Sequence, residues 1–239
     1  MERLTADERE MFKRLREHRL VRAEIIMEDP AYTGIKTMVV DKYSDSAHFV
    51  YELLQNADDV GATKAKIELF DDKIVFIHNG TKHFTLSPVE TEGEDRQKRK
   101  NYGDINAITS IGASTKTTNK DTIGRFGIGF KSVFQYTSTP EIYDVKYWFA
   151  IERFMVPKLI EKDYPGRESD ETIFVLPFNT KEKTKEKSFS EIRTKLNELI
   201  YPNLFLTNLK IISFNVPGDE AYGVYEKEVV ESQKFDNTE

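Results

Sequence analysis

The sequence predicts an α+β domain with two layers, a sheet and the helices that cover it. Beyond an N-terminal helix, the patterns follow the order helix, hairpin, loop, helix, strands, helix and strand, which lacks the strict alternation of βαβ repeats. The 239 residues suit one large domain or two small ones, and no internal repeat is visible. With 38% apolar and 12% aromatic residues, the chain can bury a core without a metal or a disulfide.

Two helices and a hairpin are predicted in the first third of the chain. Residues 5–27 follow a helical period and form a charged amphipathic arm, which Asp29-Pro30 ends. A second helix covers residues 44–60, where apolar side chains recur every three or four positions. Two short strands, residues 65–70 and 73–77, then predict a hairpin, so that a sheet follows the helix.

Loops, helices and strands alternate in the rest of the chain. Residues 81–102 lack periodicity and predict a long surface loop, which is uncommon in a compact domain unless it is a functional lid or disordered. Further elements are predicted in chain order: a short helix at 103–111, strands at 142–151 and 172–178, a helix opened by a capping box at 188–191, and a strand at 209–214.

Charge and composition exclude several classes of function. The 35 Lys and Arg against 41 Asp and Glu leave a net charge of −6, whereas a dedicated nucleic-acid binder is usually basic. The absence of cysteine excludes disulfide frameworks, thiolate zinc sites and cysteine nucleophiles. No apolar run reaches the ~18 residues of a membrane helix, and the start lacks the apolar core of a secretory signal. We therefore expect a soluble, cytoplasmic protein.

Three polar residues share one face of the second predicted helix. Glu52, Asn56 and Asp59 stand at i, i+4 and i+7, which places them within a stripe about 60° wide. Carboxylate and amide oxygens are the ligands that hard cations such as Mg²⁺ prefer, and a second carboxylate can take a proton. The stripe is therefore either a magnesium and water site or a solvent-facing surface of the helix.

A glycine cluster at residues 123–132 precedes an apolar helical start. Gly124, Gly127 and Gly129 stand where backbone N–H groups could approach a phosphate closely, helped by the helix dipole. Their spacing matches neither the dinucleotide fingerprint nor the P-loop. The cluster is therefore a candidate phosphate cradle, with a tight turn as the alternative.

Taken in order, four segments resemble the motifs of the GHKL ATPases, the superfamily with the Bergerat fold that includes gyrase, the ninety-kilodalton heat-shock chaperone, histidine kinases and MutL. The segments are Glu52-Leu53-Leu54-Gln55-Asn56-Ala57-Asp58-Asp59, Asn79-Gly80, Ile111-Gly112-Ala113-Ser114-Thr115-Lys116 and the glycine cluster. Within the superfamily they are most similar to the sacsin-type, chaperone-like branch. The resemblance spans residues 36–214 and implies a two-layer α/β sandwich whose mixed, mostly antiparallel sheet is covered by helices on one face.

The resemblance also implies roles for individual residues. Glu52 would activate the attacking water, Asn56 would hold the Mg²⁺ bound to the nucleotide, and Asp59 would assist them. The phosphates would be cradled by Gly124, Gly127, Ile128, Gly129 and the backbone of Phe130, with Ser114, Thr115 and Lys116 in the lid that closes on them. Lys131 would either add a charge near the phosphates or pair with an acidic neighbour at the surface. Thr172 would help to bind adenine, although Glu171 stands where the family has glycine.

One segment departs from the family pattern. The family has Asp-x-Gly-x-Gly after the hairpin, and its aspartate reads the adenine amino group, whereas His78-Asn79-Gly80 occupies that place here. Only Gly80 matches. A carboxylate accepts hydrogen bonds unconditionally, but His78 would need a free ring nitrogen and Asn79 would need to present its amide oxygen. Adenine selectivity is therefore an open question, and His78 could equally be an ordinary residue at the end of a strand.

The function implied by the resemblance is Mg²⁺-dependent binding of ATP in a lidded pocket and slow hydrolysis, as the ATPase module of a larger chaperone-like protein. The alternative is a nucleotide-gated interaction module with little or no hydrolysis. A histidine kinase is disfavoured because His18 is followed by Arg19 rather than by an acidic residue. In the relatives, the cation that promotes hydrolysis comes from a downstream domain, so we expect this chain alone to turn over poorly.

Three parts are expected along the chain. Residues 1–35 form an N-terminal helical arm, residues 36–216 form the ATP-binding domain with a lid at about 87–122, and residues 217–239 are a tail or the start of a downstream domain. The expected partners are ATP, a second copy of the chain through the arm, and a protein client. Neither a membrane nor nucleic acid is expected as a partner.

Overall fold

The computed structural model describes residues 3–27, 49–93, 102–110, 128–218 and 221–228. The helices are α1 (Ala6–Met27), α2 (Phe49–Asp59), α3 (Asp104–Ile108) and α4 (Lys185–Asn197), with 3₁₀ turns at Val89–Gly93 and Ile128–Gln135. The strands are β1 (Lys64–Phe70), β2 (Lys73–His78), β3 (Glu141–Tyr143), β4 (Trp148–Glu152), β5 (Val156–Leu159), β6 (Thr172–Pro177), β7 (Ile211–Asn215) and β8 (Tyr222–Glu226).

All eight strands belong to one open sheet in the order β5-β4-β3-β6-β2-β1-β7-β8. β1 and β7 are parallel, and every other neighbouring pair in this sheet is antiparallel. The predicted hairpin is confirmed, because Phe70 pairs with Lys73 across a two-residue turn. The fold is thus a mixed α/β arrangement with a mostly antiparallel sheet, as the sequence predicts.

The alternation of side chains along the strands divides the core between the two faces of the sheet. Ile67 of β1, Phe76 of β2 and Phe174 of β6 point to the face on which α1, α2 and α4 pack, and they belong to the main core. Val75 and Ile173, one position away in the same strands, point to the opposite face and form a smaller cluster. The helices therefore cover one face of the sheet.

Helix α1, the predicted N-terminal helix, packs on the sheet. Phe12 and Leu15 are fully buried in the main core. Two arginines also satisfy carbonyl groups beside the edge strand β5, since Arg16 Nη1 donates to Pro157 O at 2.9 Å and Arg3 Nη2 donates to Ile160 O at 3.1 Å. Capping these groups blunts an edge that could otherwise pair with another chain.

The structure corrects several predicted elements. Residues 142–151 form two strands, β3 and β4, because the chain turns at Asp144, whose N–H donates to Tyr147 O. The last helix begins earlier than the capping box suggests, because Thr184 is its N-cap and accepts from Lys187 N–H. Strand β5 was not predicted, and β8 lies in the expected tail, where it extends the sheet beside β7. Residues 44–48 of the second predicted helix lie outside the described residues.

No helix in the described parts of the chain is long and apolar enough to cross a membrane.

Candidate functional site

Helix α2 positions the two polar side chains that the motif singles out. Its apolar residues, among them Leu53 and Ala57, pack into the main core and hold the helix against the sheet. Glu52 is half-buried on the neighbouring face. Asn56 is only 9% exposed, yet its side-chain amide has no hydrogen-bond partner among the described residues. The amide atoms themselves are not fully enclosed, so a group from outside the chain can reach them.

The end of the glycine cluster lies directly against Glu52. A Cβ atom built on Gly129 would stand 2.0 Å from Glu52 Oε2 and 2.2 Å from Glu52 Cδ, so any side chain at this position would displace the carboxylate. The next residue, Phe130, is buried with its ring centroid 6.0 Å from that of Phe174 in β6. The fold therefore brings together two motifs that are more than seventy residues apart in the sequence.

Several predicted phosphate-binding residues lie outside the described residues, namely Ser114, Thr115, Lys116, Gly124 and Gly127. Ile128 opens the 3₁₀ turn Ile128–Gln135, which runs through Gly129, Phe130 and Lys131. Of the expected cradle, the structure thus shows the part that contacts Glu52.

The two aspartates that follow Asn56 have different environments. Asp59 is exposed at the end of α2, whereas Asp58 is buried and fastens another segment to the helix. Asp58 Oδ1 accepts from Asn208 N–H at 2.6 Å and from Leu209 N–H at 2.7 Å, and Oδ2 accepts from Thr207 N–H at 2.9 Å. The predicted stripe therefore did not reveal Asp58, the buried carboxylate of the pair, whose role is structural.

The turn after β2 packs against the end of α2. Thr81 N–H donates to Val60 O at 2.9 Å, and a Cβ on Gly80 would stand 2.2 Å from Val60 Cγ2. Asn79 Oδ1 accepts from the N–H groups of Thr63 and Lys64 at 3.0 and 2.9 Å, and its Nδ2 donates to Thr63 Oγ1. Asn79 thus caps the start of β1, and its amide oxygen is already used. In this structure Asn79 Oδ1 therefore does not meet the condition that reading a base would set.

His78 is buried at the end of β2 in a defined tautomer. Its Nδ1 accepts a hydrogen bond from Gly80 N–H at 3.0 Å, so the ring proton of the neutral imidazole is carried by Nε2. The ring lies 6.0 Å from the ring of Phe174 between centroids. A donor at Nε2 differs in kind from a carboxylate, which can only accept hydrogen bonds.

Thr172 lies opposite His78 in the register of β2 and β6. Its hydroxyl donates to Asp144 Oδ1 at 2.7 Å, and Asp144 is fully buried in the turn between β3 and β4. The same carboxylate accepts from Phe84 N–H at 2.7 Å, and His83 Nδ1 lies 2.9 Å from Oδ1. Sequence reasoning missed Asp144, because nothing in the sequence places a turn residue beside Thr172.

Lys131 makes a different contact from the one expected near phosphate. It is buried, and its ammonium donates to Phe154 O at 2.7 Å while lying 4.8 Å from the centre of the Phe154 ring. Burial, together with the charge of Arg19, lowers the pKa of Lys131 to about 7. The side chain of Lys131 therefore binds the turn between β4 and β5 in this structure.

The expected lid begins with residues that are firmly packed. The side chain of Asn106 in α3 accepts from Ser87 N–H at 3.0 Å and donates to Ser87 O at 3.0 Å and to Glu92 Oε1 at 2.9 Å. A second hydrogen bond links the same two segments, because Thr85 Oγ1 donates to Asp104 Oδ2 at 2.7 Å. Both ends of the segment that spans residues 94–101 are thus anchored to each other.

In the ranges that the structure describes, no group of three or more His, Asp or Glu side chains is arranged to hold a metal ion.

Comparison with known proteins gives the family. Residues 29–152 match the sequence profile of the sacsin domain, and this stretch contains α2, the hairpin and the glycine cluster. Over 119 residues, or 50% of this chain, the sequence is 32% identical to Protein NO VEIN from Arabidopsis thaliana. Over 114 residues, or 44% of this chain, it is 29% identical to Sacsin from Homo sapiens. The matches cover only 4% and 2% of the length of these relatives. Since the profile matches more than half of its residues, the chain belongs to the sacsin domain family.

Proposed function

We propose that this chain binds ATP together with Mg²⁺ in a GHKL-type pocket and hydrolyses the nucleotide slowly. The observation that carries the proposal is the side-chain amide of Asn56, which makes no hydrogen bond to the described residues and lies one helical turn from Glu52 on a helix packed against the core. An amide oxygen next to a carboxylate suits a hard cation, and the order of motifs along the chain is that of the GHKL ATPases.

The residues present fit the proposed ligands. The absence of a side chain on Gly129 lets the Glu52 carboxylate lie directly against its backbone. In the proposed mechanism the Glu52 carboxylate orients a water molecule and accepts its proton, while Asn56 contributes its amide oxygen to the metal. Bound Mg²⁺ would neutralise part of the charge on the phosphates. The 3₁₀ turn Ile128–Gln135 holds Gly129 and Phe130 in place.

Slow turnover is expected from the contacts of Lys131. Phosphoryl transfer needs positive charge at the departing phosphate, which is commonly supplied by Arg or Lys. Lys131 follows Gly129 closely in the sequence, but its ammonium is bonded to Phe154 O and its pKa is lowered to about 7. We therefore expect that the chain binds ATP more effectively than it hydrolyses it.

Titration calorimetry with Mg-ATP tests the binding step. Replacing Asn56 by Ala should weaken binding by roughly tenfold or more, because a hydrogen bond or ligand to a charged group contributes about 1.5–3 kcal/mol. Gln55→Ala is the matched control, since Gln55 is its exposed neighbour on the same helix. Equal affinities for the two variants would contradict the proposed role of Asn56, and no binding by the parent chain would contradict the proposed function.

A phosphate-release assay tests the chemical step. Glu52→Gln keeps the shape of the side chain but cannot accept the proton, so it should retain affinity for Mg-ATP and lose turnover. If affinity and turnover fall together in this variant, Glu52 is a binding group rather than a general base.

The second candidate is a nucleotide-gated interaction module with little or no hydrolysis. The observation that favours it is the ion pair between Arg19 of α1 and Glu92, which joins the N-terminal helix to the segment expected to form the lid. Such a link could transmit nucleotide binding to α1 without any turnover. The same phosphate-release assay separates the candidates, because the module would bind Mg-ATP and release no phosphate above the level of Glu52→Gln.

A further inference from the structure

The two edges of the sheet differ in how they are protected. The edge strand β5 contains Pro157 and Lys158, and Arg16 of α1 donates to Pro157 O at 2.9 Å. Proline, lysine and a covering helix on an edge strand all hinder the pairing of a further strand. At the other edge, β8 has no proline or lysine between Tyr222 and Glu226, and no described strand pairs with its outer side. The β8 edge is therefore open to another strand.

The backbone of β8 presents hydrogen-bonding groups outward at every second residue. Ala221 O accepts from Val216 N–H at 3.1 Å, and Lys227 N–H donates to Lys210 O at 2.8 Å, so β8 bonds to β7 through its odd-numbered residues. In an antiparallel pair the bonded positions alternate. The N–H and C=O groups of the even-numbered residues within Tyr222–Glu226 thus point away from β7.

The side chains around this edge are apolar and exposed. On the face opposite the helices, Tyr222 and Val224 are 75% and 65% exposed. On the helix face, the 200–205 loop is held beside β8, because Tyr225 Oη donates to Leu199 O at 2.8 Å. This loop adds four more exposed apolar side chains: Ile200, Tyr201, Leu204 and Phe205. Single exposed apolar residues are ordinary, but six around one open edge indicate an interaction surface.

The outward backbone groups select the kind of partner. A lipid surface would cover the apolar side chains but would leave the backbone N–H and C=O groups of β8 without hydrogen bonds, which is costly. An extended strand of protein satisfies these groups and covers the side chains at the same time. The surface therefore fits a strand.

The residues of β8 are complementary to themselves in one antiparallel register. Pairing about a two-fold axis at Val224 sets each Tyr222 opposite Glu226 of the second copy, so that a phenol donor faces a carboxylate acceptor. An axis at Gly223 would leave Glu226 outside the paired strands, and an axis at Tyr225 would set it opposite Val224. The two-fold axis at Val224 is therefore the favoured register.

The same register brings aromatic groups together on the helix face. The ring of Phe214 covers Gly223, because a Cβ atom there would stand 2.3 Å from Phe214 Cε1. Tyr225 of the second copy lies opposite Gly223 in this register and would contact the ring. The 200–205 loop of each copy would face the other copy.

We propose that two copies of this chain pair antiparallel through β8, with Val224 on the two-fold axis, so that two eight-stranded sheets become one continuous sheet. This dimer differs from the one expected through the N-terminal arm, because α1 lies on the opposite edge beside β5. It uses no residue assigned to the nucleotide site, so it goes beyond the proposed function and forms without nucleotide.

Analytical ultracentrifugation of the whole chain over a wide range of protein concentration tests the proposal. Without nucleotide, the parent should associate reversibly from 27.7 kDa to twice this mass. Val224→Pro removes an N–H that points outward and is not used by β7, so it should weaken dimerisation by roughly tenfold or more. Val21→Lys, at an exposed valine of α1, is the control and should leave the dimer unchanged.

A charge pair at position 224 tests the register. Val224→Lys alone and Val224→Glu alone should both be monomeric, because each sets two like charges directly opposite each other. An equimolar mixture of the two variants should dimerise again. Only pairing that brings position 224 of one copy opposite position 224 of the other predicts this recovery.

A cysteine variant tests the same contact covalently, because the chain contains no cysteine of its own. Directly opposite residues in a hydrogen-bonded antiparallel pair have Cα atoms about 5.5 Å apart, which lies within the range of a disulfide. Val224→Cys should therefore form a covalent dimer under mild oxidation, whereas Val21→Cys should remain monomeric.

Thermal unfolding identifies variants that fail to fold, and the mixture of Val224→Lys with Val224→Glu decides the question if Val224→Pro is one of them. A parent that stays monomeric at every concentration overturns the proposal. A dimer that persists in Val224→Pro and Val224→Lys, or that is cross-linked by Val21→Cys instead, forms through another surface and also overturns it. None of these outcomes affects the proposed nucleotide site.

Discussion

Arg19 and Glu92 form a bidentate ion pair in the interior of the protein. Nη1 of Arg19 lies 2.7 Å from Oε2 of Glu92, and Nη2 lies 2.5 Å from Oε1. Arg19 is 0% exposed and also donates to Asn106 O at 3.1 Å. The pair joins the N-terminal helix α1 to the first part of the expected lid. Any movement of one segment relative to the other would therefore have to break this ion pair.

Removing one partner of this pair should strongly destabilise the fold. Arg19→Met leaves Glu92 buried without its cation, which costs about 3–5 kcal/mol of unfolding free energy. Arg22→Met, an exposed position on the same helix, is the control and should change stability little. Urea unfolding measures both. Adding Glu92→Met to Arg19→Met should recover part of the loss, and a double variant that is less stable than Arg19→Met would contradict this account.

The Arg19–Glu92 pair also makes the free energy of unfolding depend on pH in the acidic range. Burial by itself would raise the pKa of Glu92, but the hydrogen bonds and charge of Arg19 outweigh it and hold this pKa below its ordinary value. The unfolded chain therefore binds the proton at higher pH than the folded chain. The stabilisation is present above the ordinary glutamate pKa and is lost as the pH falls through the lower folded value. Glu92→Gln should abolish this part of the acid dependence in urea unfolding curves.

Lys131 should produce a second rise of stability with pH, in the alkaline range. Its folded pKa is lowered to about 7 by burial and by Arg19, so between about pH 7 and pH 10.5 the unfolded chain holds a proton that the folded chain has lost. Stability should therefore rise with pH across this window, by up to about 1.4 kcal/mol per unit. Lys131→Met should flatten the rise in urea unfolding. Lys158→Met, at an exposed lysine, should leave the rise intact; if it flattens the curve equally, another group is responsible.

Gly129→Ala should separate catalysis from stability. The added Cβ would stand 2.0 Å from Glu52 Oε2, and the end of this side chain can swing aside at a small energetic cost. We therefore expect a nearly unchanged melting temperature and a loss of ATP turnover comparable to that of Glu52→Gln. Because both changes act on the same carboxylate, the double variant should be no slower than Glu52→Gln alone. Full turnover in Gly129→Ala would show that the position of Glu52 in this structure is not needed for the reaction.

Asp58 should matter to stability more than its neighbour in the motif. Asp58→Asn replaces an acceptor of three backbone N–H groups and should cost about 1.5–3 kcal/mol in urea unfolding. Asp59→Asn, at the exposed position, should change stability by about 0.5 kcal/mol or less. The reverse ranking of the two variants would contradict the structural role given to Asp58.

The sequence by itself determined the local elements and their class. The helical period of residues 5–27, the paired strands around Asp71-Asp72 and the strand at residue 172 all appear in the structure, because periodicity and turn residues act over short distances along the chain. The motif order also pointed to the sacsin-type family, which the profile match supports. The short strands β5 and β8 were not predicted. Each forms by pairing with its neighbour in the sheet, β4 or β7, and lacks a clear strand pattern in its own sequence.

Only the tertiary structure decided how the polar side chains of the candidate site are used. The sequence treated Asn56 and Asp59 alike, but packing of α2 buries the first and exposes the second. The sequence likewise offered Asn79 and Lys131 as ligand contacts. In the fold, Asn79 is instead hydrogen-bonded to Thr63, and Lys131 is hydrogen-bonded to Phe154 O. The pairing of Asp144 with Thr172 joins residues 28 positions apart in sequence. A hydrogen bond forms only between groups that the sheet register and the turns bring within about 3 Å of each other. The order of residues along the chain does not contain these distances.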